Sequence, residues 1–222
     1  MRVIVTGAAG SLGEAVVHCF AQAGERVACV DRLEGGKGDG RRWFPVEDLS
    51  KPDAAERAIG EAAAWLGGID ALIHLVGAFE WIPVIEAPLE VWRRLYRANV
   101  ETAVSAVRAA VPHCARGASI VTIGAASAQP APAGMAPYAS SKAGVARLSE
   151  ALAEELRPMA IRVNTLLPSI IDTTRNRADM PDADFTTWVR PDAIADAIYF
   201  LASPAARAVN GASLSVTNGS DT

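Results

Sequence analysis

Tyr138-Ala139-Ser140-Ser141-Lys142 sets a phenol and an ammonium four residues apart, the spacing that puts two side chains on one face of a helix. An ammonium beside a phenol favours the phenolate and would bring the tyrosine pKa down from about 10 toward neutrality. Such a tyrosine can give a proton to, or take one from, an oxygen or nitrogen that changes protonation as hydride moves. A second cluster has the chemistry of binding. Thr6-Gly7-Ala8-Ala9-Gly10-Ser11-Leu12-Gly13 places three glycines at even spacing between a β-like run and a helical one. Glycines let the turn tighten, and the backbone N–H groups of a helix N-terminus suit a pyrophosphate. Asp31 ends the next apolar run. A carboxylate there accepts hydrogen bonds from adenosine ribose hydroxyls and repels a 2′-phosphate, which favours NAD(H). Arg32 follows directly and suits a 2′-phosphate, so NADP(H) stays open.

These groups need a scaffold that gathers loops at one edge. β-branched runs at residues 2–6, 26–30, 43–46, 71–76, 119–123, 161–167 and 213–217 alternate with helical stretches at 12–23, 54–66, 89–115, 137–159 and 192–201. Several runs are nearly continuous in apolar residues, as parallel strands covered on both faces require. The alternation predicts an α/β fold. Its centre is a doubly wound, Rossmann-like parallel sheet with helices on both faces, in a single domain over residues 1–222. Ligands of such sheets bind outside the carboxyl ends of the strands. Residues 34–42, with Gly35, Gly36, Gly38 and Gly40 among charges, read as a surface loop.

Composition narrows the partners. Half the residues (50%) are hydrophobic, enough for a sizeable core, and the net charge of −4 gives no basic footprint for nucleic acid. Cys19, Cys29 and Cys114 are scattered without metal-ligand spacing, which fits buried thiols in a reducing compartment and no metal site. The first residues enter a strand pattern at once, and no apolar run reaches membrane-spanning length. The expectation is a cytoplasmic protein acting on a small molecule, away from membranes.

With these residues assembled, the chain resembles the short-chain dehydrogenase/reductase family end to end. The pieces that carry the likeness are Thr6 to Gly13, Asp48-Leu49, Gly77, Ala98-Asn99-Val100, Tyr138 to Lys142, Arg162-Val163-Asn164, Pro168 to Thr173, and the tail from Phe200 to Gly211. The resemblance implies that Gly7, Ala9, Gly10, Ser11, Leu12 and Gly13 hold the cofactor phosphates, with Asp31 and Arg32 at the ribose. It implies Asp48 and Leu49 at adenine, and Gly77, Tyr138, Lys142, Pro168 and Thr173 around the nicotinamide half. Lys142 would also bind the nicotinamide ribose, Thr173 would touch the carboxamide, and Asn99 would hold a water in a proton relay to Lys142. The last two helices and the tail resemble the family's association surfaces, so a homodimer or homotetramer is expected. The Ala-rich stretch from Pro137 would let two such helices pack closely.

Departures from the family narrow the substrate. A serine usually stands about thirteen residues before the tyrosine and polarises the substrate carbonyl; here that position is Ala125. Either Ser127 reaches the substrate from a shifted loop, or the reaction does not need that donor. His74-Leu75-Val76-Gly77 stands where the family often has Asn-Asn-Ala-Gly, and His74 reads as a packed strand residue. These departures, with Gly134-Met135 and the run from Met180 to Trp188, resemble the dihydropteridine reductase branch. A quinonoid dihydropterin, or another flat unsaturated ring among Phe79, Trp81 and Trp188, is then the first specific substrate. Carbonyl or alcohol oxidoreduction, including 3-oxoacyl thioesters, is the rival. Binding of NAD(H) without turnover is a second rival, against which the full Tyr138/Lys142/Asn99 set argues.

Overall fold

In the computed structural model, residues 1–35, 38 and 40–217 are described; Gly36 of the glycine-rich stretch lies outside them. β1 (Arg2–Thr6) carries Val3, Ile4 and Val5, all fully buried. A strand with no polar face has to be covered on both sides. β1 accordingly lies mid-sheet, parallel to β2 (Arg26–Asp31) on one edge and to β4 (Ile69–His74) on the other. β3 (Arg41–Pro45), β5 (Cys114–Ile123), β6 (Arg162–Pro168) and β7 (Ser213–Val216) complete the sheet in the order β3-β2-β1-β4-β5-β6-β7. Every pairing is parallel. The chain winds outward from β1 in one direction, then returns and winds in the other. The loops after β1 and β4 therefore part, and the crevice between them is the natural ligand position.

The helices divide by face. α1 (Ser11–Gln22) and α7 (Pro191–Ala202) pack Val16, Val17, Phe20, Ile194 and Ile198 over Val3 and Val5. On the other face, α2 (Pro52–Leu66), α4 (Thr102–Ala110) and α5 (Ala136–Glu155) place Ile59, Ala106 and Ala153 in the core that holds Ile4 and Leu72. Side chains that alternate along one strand thus feed two separate cores. This is the doubly wound sheet expected from the alternation of elements.

Several boundaries shift by a few residues: β3 starts at Arg41, inside the stretch read as a loop, β4 ends at His74 rather than at 76, and α5 ends at Glu155 rather than at 159. Three differences are larger. The stretch 89–115 is not one helix: α3 (Leu89–Tyr96) passes through a π-helical turn, Arg97–Glu101, into α4, which ends at Ala110. Pro112, in the 3-10 turn Val111–His113, has no N–H with which to continue an α-helix. β5 then begins at Cys114, earlier than its apolar run, because Ala115-Arg116-Gly117 extends the strand past an irregularity in its pairing with β4. α6 (Thr174–Asp179) was not anticipated; its sequence, Thr-Arg-Asn-Arg-Ala-Asp, has no apolar period. Among the described residues, no helix is long and apolar enough to cross a membrane, and no group of three His, Cys, Asp or Glu side chains could hold a metal ion.

Candidate active site

The crevice starts at the glycine loop. Gly10 is the N-cap of α1 and no side chain caps it, so the leading N–H groups of the helix point out of the loop without a side-chain acceptor. Gly13 brings the helix hard against that loop: an added Cβ would collide with the carbonyl oxygens of Gly7 and Ala8. Ala9 N donates to Asp31 Oδ2 at 3.0 Å, while Arg32 N and Leu33 N donate to Oδ1 at 2.6 and 3.3 Å. The carboxylate at the end of β2 is thereby fixed against the loop with lone pairs to spare. Arg32 lies exposed beside it. Asp48 accepts from Ser50 N at 2.9 Å and Ser50 Oγ at 2.7 Å, which holds its carboxyl below the ordinary range. Leu49 is buried in the core under α2.

The reactive pair stands at the start of α5, whose first turn carries Pro137. Lys142 is 7% exposed, and its Nζ donates to Ile123 O at 2.9 Å, at the end of β5. Burial lowers the Lys142 ammonium to about 8 and raises the Tyr138 phenol to about 12. This corrects the expectation that the lysine draws the tyrosine toward neutrality. In the protein alone, loss of hydration dominates the phenol, and the ammonium is turned toward a backbone carbonyl. The Tyr138 ring meets Phe79 edge-on, centroids 4.9 Å apart.

Asn99 sits in the π-helical turn and is 1% exposed. Its Oδ1 accepts from Ala78 N at 2.9 Å, and its Nδ2 donates to Ala78 O at 3.0 Å and Ser141 Oγ at 2.8 Å. Ser141 Oγ in turn donates to Tyr138 O at 2.7 Å. Asn99 therefore clamps the loop after β4 to the helix of the reactive pair. Gly77 adjoins this clamp: a Cβ there would stand 2.7 Å from Asn99 Oδ1 and 3.1 Å from Lys142 Nζ. Sequence spacing drew no attention to Ser141, since a serine between two catalytic candidates has no pattern of its own.

His74 is packed in β4, 2% exposed, and also cross-links. Thr102 Oγ1 donates to Ala98 O at 2.8 Å, so it accepts from His74 Nε2 at 3.3 Å; Thr6 then donates to His74 Nδ1 at 2.8 Å. Burial, together with the charge on Lys142, lowers the imidazole to about 3. It is a neutral strut between the glycine loop and the helix that follows Asn99.

Ala125 is 4% exposed at the end of β5, and Ser127 is partly buried in the 3-10 turn Ala126–Ala128. Thr173 caps α6, its Oγ1 accepting from Asn176 N at 3.1 Å. Trp188 is not an exposed ring. It is 4% exposed, with its ring 4.7 Å from Phe185, and the next residue, Val189, pairs with Ile171 and lies in the core. Phe79 and Trp81 remain exposed, at 53% and 59%. Past Pro168, Ser169 Oγ is buried without a hydrogen-bond partner.

An uncapped helix end for phosphates, an anchored carboxylate for a ribose and an orphaned hydroxyl beyond β6 fit a dinucleotide. Together with a half-buried tyrosine and a buried lysine on one helix at the same edge they define a nicotinamide-dependent oxidoreductase. Residues 7–221 match the family described as Enoyl-(Acyl carrier protein) reductase. The chain is 31% identical to a short chain dehydrogenase of Pseudocercospora fijiensis over 79% of this chain and 61% of that longer protein. It is 30% identical to an L-rhamnose 1-dehydrogenase (NAD(P)(+)) of Sphingomonas sp., covering 98% of this chain and 94% of that one. A blue fluorescent protein from a metagenomic library, in complex with NADPH, superposes with a TM-score of 0.88 at 28% identity, covering 100% of this chain and 98% of the other. The chain belongs to the short-chain dehydrogenase/reductase family, and it is an NAD(P)-dependent oxidoreductase. The matches support the family and not the dihydropteridine reductase branch.

Proposed function

We propose that this protein interconverts small carbonyl compounds and alcohols with NAD(H) as preferred cofactor. The observation that carries the reading is the half-buried Tyr138 phenol on the same helix as the buried Lys142, with Tyr138 held protonated at neutral pH. Bound NAD(H) would supply hydride to the carbonyl carbon, or accept it in the reverse direction. Tyr138 gives the proton to the carbonyl oxygen. Lys142 places a positive charge beside that transfer and offers a donor to the cofactor ribose. Gly77, without a Cβ, leaves room next to Lys142 Nζ where a relay water would sit, and Asn99 holds the loop that carries Gly77. The L-rhamnose 1-dehydrogenase name supports alcohol oxidation as the reverse reaction.

Asp31 carries the cofactor preference, with Gly7, Ala9, Gly10, Ser11, Leu12 and Gly13 at the phosphates, Asp48 and Leu49 at adenine, and Pro168 and Thr173 at the nicotinamide end. Asp31→Ala narrows the affinity gap between NADH and NADPH by about 1–2 kcal/mol, since it removes charge-assisted hydrogen bonds and a repulsion. Calorimetric titration of both cofactors reads this. Equal affinities in the wild-type protein would move the preference to Arg32.

Quinonoid dihydropterin is a second reading, favoured by Ala125 in place of a polarising serine and by the exposed Phe79 and Trp81. Following NADH absorbance with quinonoid dihydropterin beside a panel of ketones and aldehydes separates the two. Turnover of neither class, with NADH bound, would leave the cofactor-sensing alternative. Toward a carbonyl substrate Ser127 is the candidate second donor. We also propose a cytoplasmic homodimer or homotetramer.

A further inference from the structure

Two segments meet beside the reactive phenol. Ile82 N donates to Gly134 O at 2.8 Å, and Trp81 Nε1 donates to Ala133 O at 3.2 Å. Gly134 has φ +77, and an added Cβ would collide with the Trp81 indole. The loop after β4 is thus latched through Trp81 to the residues just ahead of α5. The latch leaves large rings uncovered: Trp81 is 59% exposed, and Phe79, against the Tyr138 ring, is 53% exposed. The one charged side chain in 78–82 or 130–135, Glu80, is paired with Arg94. Lys142 is buried behind the mouth and bound to Ile123 O.

Exposed rings gain by being covered with apolar surface, and an aromatic face adds stacking that an open polyol chain cannot match. A carboxylate or phosphate brought against such a wall would lose its hydration without a partner. We infer that the mouth selects uncharged, ring-bearing carbonyl and alcohol substrates, and that Trp81 is a specificity-determining residue. The inference rests on the oxidoreductase reading above.

Three ketones test it: 1-indanone (ring, uncharged), acetone (no ring) and phenylglyoxylate (ring, charged). Calorimetric titration of each into the NADH-loaded protein reads binding, and NADH absorbance reads turnover. The expected result is 1-indanone binding at least about tenfold tighter than either of the others. Trp81→Ala raises the Kd for 1-indanone about fivefold to tenfold, in the range of a lost aromatic contact. Trp81→Phe restores most of it. NADH affinity and thermal stability of both variants stay near wild type, which separates a lost substrate wall from a loosened latch. Binding of 1-indanone with no turnover of any ketone supports the wall and overturns the carbonyl reading. Turnover with no preference for the ring, or preference for phenylglyoxylate, overturns the inference and leaves that reading standing. A Trp81→Ala variant that changes molecular mass by light scattering while leaving the Kd for 1-indanone unchanged makes Trp81 an interface residue and also overturns it.

Discussion

Tyr138→Phe lowers turnover by about a hundredfold or more while NADH binds within about twofold of wild type, because only a proton transfer is lost. Phenylalanine keeps the ring and with it the edge contact to Phe79 at 4.9 Å. The backbone oxygen of residue 138 still accepts from Ser141, so the Asn99 clamp survives the substitution. The lost group is the hydroxyl, which burial holds protonated up to about 12 in the protein alone. Reduction needs a phenol and proceeds at neutral pH; oxidation needs the phenolate and is expected to accelerate as pH rises. Steady-state rates in both directions, with NADH affinity by calorimetry, check the claim. Wild-type turnover in the variant would move the acid/base role to another group.

The sheet was legible because its strands are buried on both faces. Val3-Ile4-Val5 and Leu72-Ile73 are unbroken apolar runs, and glycines and helical stretches fall between such runs. The site's skeleton was legible for a related reason: Gly13, Asp31, Tyr138 and Lys142 act through residue type at fixed spacing. What escaped the sequence depends on contacts across the fold. The π-helical turn at Asn99 cannot be seen in a helical period, and its clamp needs Ala78 and Ser141, 21 and 42 residues away. Trp188 and Trp81 are the same residue type near the same mouth in sequence terms. The first is buried beside the pairing of Ile171 with Val189, and nothing in either segment's composition announces it. The direction of the tyrosine shift was misread because proximity of an ammonium can be inferred from spacing, whereas the depth of burial cannot.

Lys142→Met separates what the lysine does for catalysis from what it costs the fold. Turnover falls by about a hundredfold or more, since the charge beside the proton transfer is gone, and cofactor affinity falls with it. The cofactor-free protein, in contrast, becomes more stable at pH 7. Burial lowers the Lys142 ammonium from 10.5 to about 8. At about 1.4 kcal/mol per tenfold change in proton affinity, that difference costs the folded state about 3 kcal/mol wherever both folded and unfolded chains are protonated. Methionine fills a similar volume without the charge, but leaves Ile123 O without its donor, a loss of about 1 kcal/mol. The net gain is about 2 kcal/mol. Its pH dependence has a definite sign. Below about 8 both states of the wild-type chain bind the proton and the full cost applies. Between about 8 and 10.5 the unfolded chain holds the proton and the folded chain does not, so wild-type stability climbs toward that of the variant. Tyr138, raised from 10 to about 12, and the thiols of Cys29 and Cys114, raised from 9.0 to about 12 and about 11, act in the opposite sense, but alike in both proteins, so the gap between wild type and variant isolates the lysine. Urea unfolding of both proteins across that interval measures the gap. A variant less stable than wild type at pH 7, or a gap that stays constant as pH rises, would show that Lys142 is held at no cost and that the site is not strained by its own ammonium.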